Sequence, residues 1–206
     1  LYLGSAGVGR ITVVDHDTVD ITNLQRQIAH TMSRVGAPKV ESIQAAVAQV
    51  NPGVQVIAMQ ARADADLLET LVAQADVVLD CCDNFATRHA INAACVRHLK
   101  PLVSGAAIRF DGQVTVYDLR ETHSPCYACV FPAEASFEET RCATMGVFAP
   151  LVGIIGSMQA AEALKLLTGA GRTLNGRLLM LDGRAMEFTE VRVQRNPSCT
   201  VCAGRS

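Results

Sequence analysis

With 206 residues and a formal net charge of −2, the chain is long enough for one large domain and too evenly charged to carry a nucleic-acid or membrane footprint. Half of its residues are hydrophobic, mostly Ala, Val and Leu, with no Trp, a composition suited to a helix-covered parallel sheet. The opening Leu-Tyr-Leu-Gly has neither Met nor a basic stretch, so no signal peptide is expected, and no uninterrupted apolar run reaches bilayer length.

Leu1 to Ala6 reads as the last turns of a helix, with Gly7 or Gly9 as its C-cap, and the chain is expected to start inside a domain. Ile11 to Asp15 is a β-branched strand that delivers Asp15 and Asp17 to a polar loop holding Asn23, Gln25 and Arg26. Pro38 fits the first turn of a helix from Ala37 to Val50, ended by Asn51-Pro52-Gly53. A strand from Val54 to Met59, a helix from Ala65 to Ala75 and a strand from Asp76 to Cys82 complete a βαβαβ pattern, which predicts parallel strands with right-handed crossovers.

Asp83 and Asn84 then lead into a helix from Ala86 to Leu99, followed by strands Leu102 to Ala107 and Gln113 to Tyr117 with Gly112 between them. The low-periodicity stretch from Leu119 to Thr144 is too long for an ordinary connection and should be functional or mobile. Pro150 to Leu167 forms a core or interface helix, broken for a membrane by Gln159, Glu162 and Lys165, in which Gly153 and Gly156 would admit close helix approach. Strands Arg177 to Asp182 and Met186 to Val193 precede the tail.

Strand ends of open α/β sheets are where nucleotides bind. A nucleotide triphosphate needs an acid for the ribose, cations for the phosphates and a carboxylate for Mg²⁺. Asp15 can supply the first, Arg26 and Lys39 the second and Asp83 the third, with Asp17, Asn23 and Gln25 alongside; solvated loop charges would look the same.

Cys126-Tyr-Ala-Cys129 and Cys199-Thr-Val-Cys202 have the spacing of two zinc knuckles, and four thiolates close a structural Zn²⁺ site. A redox Cys-x-x-Cys or coincidence would share that spacing. With 8 cysteines and no secretory feature, a reduced, cytoplasmic protein is expected. Cys142, beside Arg141, has the setting of an accessible thiolate, whereas Cys81, Cys82 and Cys95 fit buried, inert positions.

Taken in order, VVDHDTVDITNLQRQ, GAPKV, VVLDCCDN, SGAAIRFDGQV, CYAC, RCATMGVFAP and NPSCTVC resemble the ThiF/MoeB/HesA family of ubiquitin-activating-like adenylyltransferases, over essentially the whole chain. The resemblance implies a Rossmann-like α/β fold, a mostly parallel sheet with helices on both faces, added antiparallel strands and a zinc-stapled C-terminal segment. It implies a homodimer that uses ATP and Mg²⁺ to adenylylate the C-terminal Gly-Gly carboxylate of a small ubiquitin-like sulfur carrier protein, for thiamine or molybdopterin biosynthesis. A sulfurtransferase or cysteine desulfurase would be the sulfur donor.

By the same resemblance, Asp15 binds ribose, and Thr22, Asn23, Gln25 and Arg26 form the nucleotide loop. Lys39 meets phosphate, Asp83 holds Mg²⁺ with Asn84 adjacent, and Cys126, Cys129, Cys199 and Cys202 hold zinc. Cys142 matches a crossover-loop cysteine (the loop spanning 119–146) that links to the carrier through sulfur, and Arg109 either faces the carrier tail or sits on an edge strand. The family's glycine-rich loop would precede residue 1, so a single adenylyltransferase domain lacking that loop, binding ATP poorly alone, is expected. A non-catalytic, zinc-stapled scaffold for the carrier and a nicotinamide-dependent dehydrogenase are the competing readings.

Overall fold

The computed structural model describes residues 1–133 and 145–205. Cys142, and with it Arg141, lies outside the described residues. The chain divides into two compact units, Leu1–Ala63 and Asp64–Ser206.

In the first unit, α1 (Tyr2–Ser5) leads to β1 (Arg10–Val14), which pairs in parallel with β2 (Gln55–Met59), the two connected through α2 (Lys39–Val50). The β-branched runs RITVV and QVIAM favour this pairing because their side chains pack well on a pleated surface. Val47 of α2 joins Val54 and Val56 in a buried cluster against Ile11, Val13 and Ile43. Each such burial contributes about 1.5–3 kcal/mol. Gly4 brings α1 close to that cluster: a Cβ there would stand 2.7 Å from Val47 Cγ1.

The second unit opens with α3 (Ala65–Gln74), whose N-cap Asp64 accepts from Leu67 N–H, and continues through β3 (Val78–Asp80) and α4 (Phe85–His98). β4 (Leu102–Ile108) pairs in parallel with β3 and antiparallel with β5 (Asp111–Tyr117). β6 (Arg177–Asp182) and β7 (Glu187–Arg192) extend the sheet in the order β3-β4-β5-β6-β7. Between β5 and β6 lie the short α5 (Tyr127–Val130) and the long α6 (Ala149–Thr168).

The fold is therefore mixed α/β: parallel pairing joins β1 to β2 and β3 to β4, and antiparallel pairing builds the rest. β3 is shorter than the sequence suggests because the Asp80 carboxylate accepts from Cys82 N–H at 3.0 Å and turns the chain out of the sheet. Every residue of β7 is exposed.

α6 is the helix, among the described residues, that is long and apolar enough to cross a membrane by composition alone. Its Leu151, Ile155, Gln159 and Ala163 are buried four residues apart along one face, with Ala160 beside them. That face packs on β4 and β5, with Leu151 and Ile155 meeting Leu181 of β6.

One glycine reading is corrected. Gly112 is not the turn between β4 and β5 but lies within β5 opposite Ala107, where a Cβ would meet Ile155 at 2.8 Å. The turn is made by Arg109, with φ 49°. A Cβ at Gly153 or Gly156 would meet nothing within 4 Å among the described residues.

Gly105 of β4 is the tightest position. A Cβ there would fall 2.3 Å from the Gln159 amide carbon, and that amide donates to Asp80 O at 2.8 Å. Gly105→Ala is expected to displace Gln159 and destabilise the protein by about 1–3 kcal/mol, measured by urea unfolding.

Candidate functional site

The first unit gathers its charged groups where β1 ends. Asp15 follows Val14, and the chain then runs through a small bridge in which Val19 N–H donates to Ala37 O at 2.8 Å and Lys39 N–H to Asp17 O at 3.0 Å. This places Lys39 on the first residue of α2 beside both acids. Its Nζ lies 2.8 Å from Asp17 Oδ2 and 4.0 Å from Asp15 Oδ2, and the residue is only 8% exposed.

A cation at a helix N-terminus opposes the helix dipole, so the two carboxylates offset a position that would otherwise be unfavourable. The hydrogen bond from Lys39 in turn holds the Asp17 carboxyl below its usual range. His30 closes the interior side, with Nδ1 2.8 Å from Ser42 Oγ, and burial lowers its pKa.

The loop between β1 and α2 is organised by Asp20, a residue the sequence reading passed over. Its carboxylate accepts from Thr22 N–H at 2.8 Å and Thr22 O–H at 2.6 Å, while the Asn23 side-chain oxygen accepts from Asp20 N–H at 3.2 Å. This is a capping box on the short turn Ile21–Asn23, and the spacing Asp20-x-x-Asn23 was the available signal. Arg26 is fixed by donating Nη1 to Thr22 O at 3.1 Å, and Gln25 is exposed. Asp15, Thr22, Asn23, Gln25, Arg26 and Lys39 thus share one unit, and Asp83 and Asn84 belong to the other.

In the second unit Asp80, 1% exposed, ends β3. Its carboxylate accepts from Arg88 Nη1 at 2.8 Å and Ser104 O–H at 2.9 Å. Arg88 also donates to Gly105 O at 3.1 Å and to Cys82 O. This buried pair went unrecognised because Arg88 lies within a helix, where arginine is ordinarily solvated. Just beyond it Asp83 is exposed, and Asn84 caps α4 by accepting from Thr87 N–H at 2.9 Å.

The two Cys-x-x-Cys pairs meet. All four sulfurs lie within 4.8 Å of one another, with Cys126 to Cys129 3.8 Å, Cys126 to Cys199 3.7 Å and Cys129 to Cys202 3.4 Å. A tetrahedron with Zn–S near ~2.3 Å has edges of about 3.8 Å, so the set fits a zinc ion and is far too long for disulfides. Within the cluster a hydrogen bond from Cys126 pulls Cys129 down to about 4, while Cys126 is pushed up by the same bond and Cys202 to about 11 by burial.

Arg195 and Arg205 hold the tail in place, donating to Cys202 O at 2.7 Å and to Glu121 O at 3.0 Å. Of the cysteines expected to be inert, Cys95 is buried and pushed up to about 12 by burial; Cys81 is exposed and Cys82 half-buried as residues, yet burial of the thiols raises both, Cys81 to about 11. Arg109, at a hairpin turn rather than along an edge strand, lines an open cavity of about 520 Å³ with Phe110, Phe148 and Arg184.

A family model described as the ThiF family matches residues 1–201. A molybdopterin-synthase adenylyltransferase of Salmonella typhimurium is 46% identical over 203 residues, covering 98% of this chain and 80% of that protein. The adenylyltransferase and sulfurtransferase MOCS3 of Mus musculus is 43% identical, covering 98% of this chain and 44% of that one. Among solved structures, E. coli MccB with ATP superposes with a TM-score of 0.82 at 22% identity, over 97% of this chain. The chain spans 61% of that MccB chain, and the likeness is one of fold.

Two outcomes are expected. Lys39→Met should return the Asp17 carboxyl toward the ordinary carboxylate range in an NMR titration. Because the folded carboxyl is depressed, the stabilisation Lys39 gives is present above the unfolded value and lost as pH falls through the folded one. Arg88→Met should leave Asp80 buried and unpaired, costing about 3–5 kcal/mol in urea unfolding.

Proposed function

Because the chain belongs to the ThiF family, we propose that it adenylylates the C-terminal Gly-Gly carboxylate of a small ubiquitin-like sulfur carrier protein. The molybdopterin branch is favoured over the thiamine branch by the 46% identity to a molybdopterin-synthase adenylyltransferase across 80% of that protein. The observation that carries the reading in the structure is Lys39, a nearly buried cation at the end of β1 flanked by Asp15 and Asp17.

The reaction joins two anions. A carboxylate oxygen of the carrier forms a bond to the α-phosphorus of ATP, the bond from that phosphorus to the bridging oxygen breaks, and pyrophosphate leaves with the electron pair. The acyl-adenylate remains. Little covalent help from protein side chains is needed, so positioning and charge neutralisation dominate.

Arg26 and Lys39 answer the phosphate charge, and Asp15 accepts from the ribose hydroxyls. Thr22, Asn23 and Gln25 border the nucleotide, with Thr22 and Asn23 held by the Asp20 capping box. Mg²⁺, when bound, shields the phosphate oxygens from the incoming carboxylate. Exposed Asp83 would supply its carboxylate ligand, and Asn84 fixes the adjoining helix start. Cys126, Cys129, Cys199 and Cys202 would hold Zn²⁺ as a structural ion.

A single adenylyltransferase domain with a crossover loop over 119–146 completes the reading. So do a homodimer, a cytoplasmic setting and a sulfurtransferase or cysteine desulfurase as donor. The Cys142 thiolate attacks the acyl carbon of the adenylate, and AMP leaves with the electron pair of the broken acyl–oxygen bond. It does so either directly or after Cys142 has received the outer sulfur of a donor persulfide, whose own thiolate departs. Ile21, Ile28 and Met32, each more than half exposed near Gln25 and Arg26, give a dimer an apolar surface to cover.

Carrier-dependent exchange of labelled pyrophosphate into ATP tests the chemistry directly, in protein expressed from its complete gene. Asp83→Ala and Lys39→Ala should each lower the exchange rate roughly a hundredfold or more. An undiminished rate removes the substituted residue from the mechanism.

A further inference from the structure

Asn92 lies on α4, two turns after the Asn84 cap, and is fully buried. Its helix neighbours on the interior face include Ile91, Ala94 and Cys95. A carboxamide in such surroundings costs about 1–3 kcal/mol for each donor or acceptor left without a partner. Both ends of this one are engaged. The side-chain oxygen accepts from Tyr127 N–H at 2.8 Å, and Nδ2 lies 3.7 Å from Cys126 Sγ.

The orientation of the amide follows from chemistry. A backbone N–H can only donate, so the end facing Tyr127 must be the oxygen, and the end facing the sulfur must be the NH₂. Cys126 is itself 0% exposed and lies 3.7–3.8 Å from two other sulfurs of the cluster.

We propose that Asn92 is a positioning residue of the four-sulfur metal site, donating its side-chain N–H to the Cys126 thiolate. The proposal rests on the zinc reading given above. Four thiolates around Zn²⁺ leave two net negative charges in a place with little water. An N–H donor to the most buried sulfur disperses part of that charge without adding a competing ligand, as outer partners of metal ligands do. The same amide holds Tyr127 N–H, so one side chain fixes both the backbone after Cys126 and the direction of its sulfur. It also ties the knuckle to α4 rather than to its own loop.

The test begins with the unsubstituted protein. Its zinc content by mass spectrometry, and a tetrathiolate ¹¹³Cd resonance after exchange, ask whether the metal site exists. Scalar coupling between the Asn92 side-chain amide protons and ¹¹³Cd, carried through the Cys126 sulfur, then reads the contact itself and needs no variant.

Coupling is expected, together with a loss of zinc affinity in Asn92→Asp of roughly 10–100-fold in competition with a chromophoric chelator. Ser104→Ala, a buried change on Asp80 that touches no sulfur, should keep the parent affinity. A protein without zinc and without the tetrathiolate resonance would overturn both the metal reading and the role of Asn92. Bound metal with no coupling, and Asn92→Asp within twofold of the parent, would overturn the role of Asn92 alone.

Discussion

Asp80 takes a carboxylate into a place where only 1% of the residue is exposed, and the second unit is arranged around keeping that charge satisfied. An ion so placed costs several kcal/mol unless it is paired and its lone pairs are filled. Here the partners come from different elements: Arg88 from α4, Ser104 from β4, and Cys82 N–H from the turn just past β3. Gln159 of α6 closes the group by donating to the Asp80 carbonyl. The requirement sets the end of β3 and the tight crossing at Gly105. It also fixes the turn that presents Asp83 and Asn84.

The C-terminal segment of the same unit is held by sulfur and arginine. Cys199 and Cys202 lie beyond the last strand, in a stretch of turns. Convergence of its two sulfurs with those of the 126–130 segment, and backbone carbonyls gripped by Arg195 and Arg205, anchor that stretch. The two devices meet on α4, which supplies Arg88 to one and Asn92 to the other.

The local elements were legible in the sequence because hydrophobic periodicity, caps and prolines act over a few residues. β1, α2, β2 and α3 lie within about two residues of where those signals put them. The Lys39 neighbourhood was legible as chemistry, since acids after a strand and a lysine opening a helix each have a local pattern. The Cys pairs were legible as pairs, but a separation of 73 positions from Cys126 to Cys199 carries no record of their meeting. Arg88 was illegible for the same reason: a charge within a helix signals solvent unless the tertiary fold turns it inward. Gly112 misled because glycine signals both a turn and a close approach. Only the packing of Ile155 against β5 distinguishes them.

The sheet of the second unit ends at β7, a strand with a neighbour on one side and all six residues exposed. Open ladders recruit stray strands, which is how soluble proteins begin to polymerise. Along this rim the charges of Glu187, Glu190 and Arg192 are interspersed among Phe188, Thr189 and Val191, and Glu190 is tied back to Arg177 at 2.8 Å. An incoming strand would have to strip water from those ions. Hydration of its own charges thus guards the open edge against indiscriminate growth.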